Sequence, residues 1–100
     1  MLIEIDSNDV NTEVKELFSI DGRIYTMPVE VSASVALQYL HVARAEGETA
    51  SISWVMEEVL GTEAYDALRK CRALKPHQLQ AVIKVVTETV MGALEETGKG

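Results

Sequence analysis

The sequence predicts a mainly α fold in which an N-terminal β-hairpin packs on a bundle of about four helices. Three observations lead to this prediction. An Asp21-Gly22 pair separates two short apolar runs. Beyond Pro28, apolar residues recur at helical spacing, and Gly47, Gly61 and Pro76 divide that stretch into segments of helix length. With 100 residues, of which 47% are hydrophobic, the chain is expected to form one domain with a modest core.

The hairpin prediction depends on Asp21-Gly22, because a type I′ turn requires positive φ at both central residues. This turn pairs Ile20 with Arg23, and then Ser19 with Ile24 and Phe18 with Tyr25. One face of the hairpin then carries Phe18, Ile20, Tyr25 and Met27. Pro28 ends the second strand, since it cannot donate to a ladder. Because a lone hairpin is unstable in water, it must dock on the helices.

The first two helices follow from apolar stripes between capping residues. The first is predicted from about Ser34 to Ala45, with Ser32 or Ser34 as its cap and Gly47 as its stop. Its stripe is Val35, Ala36, Tyr39, Leu40 and Ala43. The second is predicted from near Thr49 to Gly61. Its stripe is Ile52, Val55, Met56, Val59 and Leu60.

The third helix is predicted to begin at Thr62 as a cap, and the fourth to open with Pro76, a residue favoured at the first helical position. The third is lined by Ala64, Ala67, Leu68 and Cys71. The fourth carries the stripe Leu79, Val82, Ile83, Val86, Val90 and Ala93. It is rich in β-branched residues, but its apolar residues do not alternate, so a helix held by packing is favoured over a strand.

Composition changes along the chain predict three regions. Residues 1–16 carry five acids and one base, and Ser7-Asn8-Asp9 interrupts their aliphatic run, so this segment is expected to be mobile or to need a partner. Residues 17–96 form the hairpin and helical domain. Residues 97–100 are expected to be a flexible C-terminus.

The formal net charge of −7 excludes two classes of partner. Nucleic acids and anionic membrane surfaces both draw binding energy from Lys and Arg, which acids outnumber here by 16 to 9. The N-terminus lacks the pattern of a signal peptide, and no apolar run is long enough to span a membrane. One cysteine, Cys71, cannot form an internal disulfide, which favours a reducing cytosol.

Catalytic chemistry is not predicted. The glycines are scattered rather than arranged as a phosphate loop, His41 and His77 stand alone, and no metal-ligand spacing or cofactor motif is present. Cys71, on an apolar stripe, is typical of a small core residue rather than a reactive thiol. The protein is therefore expected not to be an enzyme, and to need no metal or cofactor.

Three features are candidates for partner binding. Trp54 lies opposite the stripe of its helix, where it is either an interface anchor or covered by a second layer. The basic run Arg69-Lys70-Cys71-Arg72, with Lys75, meets either an acidic partner or the acidic faces of a sister subunit or, as is more usual, complements the helix dipole as a solvated face. Val85 and Met91 widen the apolar surface of the fourth helix, which indicates a core position or a subunit interface.

Several segments together resemble the tail assembly chaperones of long-tailed actinobacteriophages, over about residues 17–96. The segments that carry the resemblance are Phe18 to Pro28, Val35 to Leu40, Leu60 to Leu68 and Leu74-Lys75-Pro76. Lys75 departs from the family pattern, which has Thr or Ser before the proline.

The resemblance implies a protein that binds the long, helical and poorly soluble tape measure protein and recruits major tail protein around it. Such proteins act in the host cytoplasm and are absent from the mature virion. A frameshifted longer form is often made, and Gly98-Lys99 is compatible with a slippery codon run.

The mechanism expected from this resemblance is helix-in-groove binding. The predicted groove lies between the second and fourth helices and has an acidic rim. Its candidate contact residues are Trp54, Val85, Met91, Met56 and Ile83. Several copies along one client would favour self-association. The alternative is an acidic helical interaction module, antitoxin-like or adaptor-like, that binds one compact partner.

Overall fold

The structure, a computed structural model, describes residues 1–95 and confirms a mainly α fold with an N-terminal hairpin. The elements in chain order are β1 (Val14–Ile20), β2 (Arg23–Pro28), α1 (Ala33–Glu46), α2 (Glu48–Leu60), α3 (Thr62–Lys70) and α4 (Pro76–Glu95). Glu96 and the predicted flexible C-terminus at 97–100, which includes Gly98-Lys99, lie outside the described residues.

The hairpin has the predicted turn and register. Asp21 has φ 52° and Gly22 has φ 86°, as a type I′ turn requires. Phe18 pairs with Tyr25, and their rings stack with centroids 5.0 Å apart. The ladder continues from this pair to the turn without interruption, and one register shift lies between Glu16 and Phe18. β2 ends at Pro28, as predicted.

The hairpin docks on the helices through its apolar face. Met27 is 1% exposed and belongs to the same core cluster as residues of α2 and α4. Phe18 and Tyr25 are half-buried and pack against that cluster. An exposed ion pair between Arg23 and Glu63 adds a contact between β2 and α3. Burial of one face therefore supplies the stability that the two strands lack alone.

Single glycines join the first three helices. Gly47 has φ 102° and Gly61 has φ 86°, conformations that are strained for any other residue. The amide of Gly47 donates to the carbonyl of Ala43 at 3.0 Å, which closes α1. The prediction of Thr62 as the cap of α3 is wrong, because Gly61 occupies the cap position and Thr62 is already helical. Ser32 caps α1 as predicted, accepting from the amide of Ser34 at 3.0 Å.

The core lies where α2, α3 and α4 meet α1 and the hairpin. Its buried apolar members are Met27, Ala36, Val55, Met56, Val59, Leu60, Ala64, Leu68, Val82, Val86 and Val90. The stripe predicted for α2 is confirmed, with four members buried and Ile52 half-buried. In α1 the predicted inward position of Leu40 is wrong. Leu40 is 42% exposed, whereas Val42 is only 7% exposed. Apolar residues surround most of α1, so their spacing did not determine which side faces inward.

The N-terminal segment is shorter than predicted, because β1 already begins at Val14. We call residues 1–13 the leader. The leader contains no regular strand or helix, and every one of its residues is exposed. A turn is closed by the side chain of Asp6, which accepts from the amide of Asn8 at 3.0 Å.

Candidate partner-binding groove

An open groove of about 280 Å³ lies between α2, α3 and α4, and we call it the apolar groove. Its lining residues are Thr49, Ile52, Ser53, Met56, Tyr65, Leu68, Arg69, Leu74, Leu79 and Ile83. Those from α2 recur at helical spacing, as do Leu79 and Ile83 of α4, so each helix contributes one flank of its surface. The groove therefore forms because the apolar stripes of α2 and α4 are wider than the part of each stripe that the core buries.

Burial differs between the floor and the walls of the apolar groove. Met56 and Leu68 are 3% and 6% exposed, and they form its floor as part of the core. Ile52, Leu79 and Ile83 are half-buried and pack against that core, so part of each side chain still meets solvent. A partner's apolar side chain placed here would remove this remaining surface from water, which is favourable.

Polar groups stand only at the edge of the apolar groove. The hydroxyls of Ser53 and Tyr65 lie 3.0 Å apart and link α2 to α3. Arg69 donates from Nη1 to Oδ1 of Asp66, one turn away, at 2.5 Å. An acidic rim was predicted, but no acidic residue lines the apolar groove. Its one charged lining residue is the cation Arg69.

Two of the five predicted contact residues line the apolar groove. Ile83 stands on its α4 wall and Met56 at its base, where its low exposure leaves it little contact with a partner. Trp54, Val85 and Met91 do not line it. Trp54 and Val85 are half-buried and pack against the core, and Met91 is half-buried. Their roles in binding stay predictions.

Residues of α3 and of the loop after it complete the apolar groove, and the sequence did not indicate their place there. Tyr65 and Arg69 are one turn apart on α3, and Leu74 comes from the loop before α4. The only signal for them was the short amphipathic pattern of α3. That pattern identifies a face but not the helices that the face meets.

Two of the larger depressions have a more polar character. One of about 500 Å³ lies between the start of α1 and the end of α4, and the carboxylates of Glu30 and Glu95 take part in its lining. Another of about 390 Å³ lies between the hairpin and the α3–α4 corner and includes Cys71. The apolar groove is smaller, and polar groups take the smallest share of its lining, which favours burial of aliphatic side chains.

Within residues 1–95, no cluster of three His, Cys, Asp or Glu side chains is placed to hold a metal ion. Over the same part of the chain, none of the helices combines the length and the apolar character needed to cross a membrane. Cys71 is a free, half-buried thiol, and His41 and His77 are both exposed.

In comparisons with protein-family models, curated proteins and solved structures, nothing matches this chain. The resemblance to tail assembly chaperones therefore remains a prediction from the sequence.

Proposed function

We propose that the protein is a phage tail assembly chaperone that binds the tape measure protein, keeps it soluble and promotes assembly of major tail protein around it. It would act in the host cytoplasm and be absent from the mature virion. The apolar groove is the observation that carries the proposal, since it offers half-buried aliphatic side chains from two helices to an incoming apolar stripe.

The fit to a helical client comes from the shape and lining of the apolar groove. An amphipathic helix presents apolar side chains at intervals of three and four residues, and anchors at this spacing are how helix-in-groove complexes bind. Ile52, Leu79 and Ile83 would contact such anchors, and Arg69 would meet an acidic residue beside them. A groove of about 280 Å³ holds only a short part of a long client, so one client would carry many copies.

The net charge of −7 supports the same function. A complex that covers an insoluble helical chain with many acidic subunits gains a high surface charge, and mutual repulsion keeps such particles dispersed. Acidic residues on α2 contribute to this surface, because Glu57 and Glu58 are both exposed.

Co-expression with the tape measure protein of the same phage tests this proposal, with size-exclusion chromatography and light scattering as the readout. We expect the client to become soluble and to elute with several copies of the protein. Ile83→Gln should abolish co-elution. Leu37→Gln is the matched control, because Leu37 is 62% exposed on α1, away from the apolar groove. Circular dichroism would confirm that both variants fold.

Two results would contradict the proposal, and a third would exclude its binding surface. A client that stays insoluble with this protein and also with its frameshifted longer form would exclude a chaperone role. A compact complex of fixed stoichiometry with a different partner would favour the antitoxin-like or adaptor-like module. Equal loss of co-elution in both variants would exclude the apolar groove as the binding surface.

A further inference from the structure

The leader is an aliphatic and acidic segment that its own domain leaves uncovered. Leu2, Ile3 and Ile5 are 81%, 76% and 87% exposed. The leader also contains four acids and no base, which gives it a formal side-chain charge of −4. Exposed aliphatic residues this close together are typical of a segment that binds another surface.

The apolar groove lies beside the most basic part of the chain. Residues 66–75 hold four bases and one acid, a formal charge of +3 in a protein whose net charge is −7. Arg69 lines the groove, and Lys70, Arg72 and Lys75 are exposed in the last turn of α3 and in the loop that follows it. A segment that is both aliphatic and acidic complements the groove and this basic margin together.

The leader of one molecule starts far from the groove of the same molecule. The hairpin tip, at Ile20 and Asp21, shares a depression with the α3–α4 corner. The leader joins the opposite end of β1, where Val14 pairs with Pro28, and it lies beside Glu30 and Ser32. β1 spans seven residues, so it separates the leader from that corner by about 20 Å.

We propose that the leader of a second copy of this chain fills the apolar groove. In an extended segment alternate side chains point the same way, so Ile3 and Ile5 would enter the groove together. Glu4 and Asp6 would point away from its floor, toward Arg69 and the neighbouring Lys70. With Ile3 to Asp6 in the groove, residues 7–13 form the connection and reach about 25 Å when extended, so they can bridge to an adjacent molecule but would have to run straight along β1 to reach the groove of their own.

This inference goes beyond the proposed function and does not depend on the identity of the client. It concerns contacts between copies in the absence of any other protein. Where a client does bind the same groove, the leader and the client would compete for it. Self-association would then cover the groove until a client arrives.

Charge-reversal variants of the full-length chain test the inference, with sedimentation equilibrium as the measurement. We expect the wild type to self-associate. Glu4→Lys with Asp6→Lys, and separately Lys70→Glu with Arg72→Glu, should each weaken association about tenfold, since each turns two attractions into repulsions. All four side chains are exposed, and the hydrogen bond that Asp6 accepts from the amide of Asn8 lies within the leader, so folding of the hairpin and helices should be unaffected. Mixing the two variants should restore association. The basic leader of the first variant would meet the acidic margin of the second, and the unchanged acidic leader of the second would meet the unchanged basic margin of the first.

Two control variants carry the same change in net charge at other sites. Glu57→Lys with Glu58→Lys matches the leader variant, and Arg44→Glu with Lys84→Glu matches the basic-margin variant. Both controls should associate like the wild type.

A monomeric wild type would overturn the inference, and so would equal weakening by the controls. Failure of the two mixed variants to associate would overturn it as well. The inference would also be overturned if a variant with both Ile3→Ser and Ile5→Ser associated as tightly as the wild type.

Discussion

The hydroxyls of Ser53 on α2 and Tyr65 on α3 lie 3.0 Å apart, at the edge of the apolar groove. This contact adds to the core packing between two helices that the single residue Gly61 connects in the chain. The pair is exposed, so its energetic contribution is small.

Removal of either hydroxyl should therefore cost little stability. Tyr65→Phe and Ser53→Ala should each lower the free energy of unfolding by about 0.5–1 kcal/mol, the usual net value of one hydrogen bond. The double variant should lose no more than either single variant, because both delete the same interaction. Urea denaturation followed by circular dichroism measures all three. Strictly additive losses would show that the two hydroxyls do not interact.

Met27 should be the residue that holds the hairpin on the helices. It is 1% exposed, so Met27→Ala should lower the free energy of unfolding by about 2–5 kcal/mol through lost burial and a residual cavity. Ile24→Ala on the same strand is the control, since Ile24 is 54% exposed. The control should cost about 0.5 kcal/mol or less. Similar losses for the two variants in thermal or urea unfolding would contradict the docking described above.

The turn should be sensitive to a methyl group on Gly22. Its φ of 86° is unfavourable for any residue with a Cβ, although nothing lies within 4 Å of where that atom would stand. Gly22→Ala should therefore destabilise the protein by about 1 kcal/mol through backbone strain alone. The measurement is the shift of the urea midpoint of unfolding, with the slope of the unfolding free energy against urea concentration unchanged. An unchanged midpoint would show that the turn relaxes to another type.

The same substitution at Gly92 should have the opposite sign. Gly92 lies within α4, is absent from the residues with positive φ, and has open space around the site of a Cβ. Gly92→Ala should stabilise the protein by about 0.5–1 kcal/mol, because alanine loses less backbone entropy on forming a helix. A loss of stability would indicate that a neighbour uses the space beside Gly92. Because nothing lies within 4 Å of an added Cβ at either site, opposite signs for Gly22→Ala and Gly92→Ala would isolate the effect of backbone conformation.

Local chemistry allowed the hairpin and the helix boundaries to be predicted. The turn at Asp21-Gly22 requires positive φ in two residues, and this requirement determined the register of the strands on either side. Gly47 and Gly61 end helices for the same conformational reason. Each of these features depends on residues a few positions apart, which is the range over which sequence reasoning works well.

Features that depend on how elements pack together were predicted less well. Leu40 was placed inside and Val42 outside the stripe, because α1 is apolar on most of its circumference and the choice of face depends on α2 and α4. Ser51 was missed as a buried residue. It is 0% exposed, and its hydroxyl donates to the carbonyl of Glu48 at 2.7 Å, so the buried hydroxyl is satisfied without solvent.

The candidate groove was predicted in part. α2 and α4 do form two of its walls, and Met56 and Ile83 do line it. The contribution of α3 could not be predicted, since its sequence shows which of its faces is apolar but not which helices that face meets. The position of Arg69 at the rim, in place of the expected acids, follows from the same packing.

The single-residue connections at Gly47 and Gly61 limit how the length of this chain can change. One residue inserted within α2 would rotate everything after it by about 100°, and a one-residue joint has no slack with which to turn the next helix back. Insertions and deletions between residues 33 and 70 should therefore be poorly tolerated. Changes in length should be confined to the leader, the connection at 29–32 and the loop at 71–75. A designer who wishes to attach a label or a fused domain inside this chain should choose the connection at 29–32, because the leader and the loop at 71–75 belong to the proposed binding surfaces.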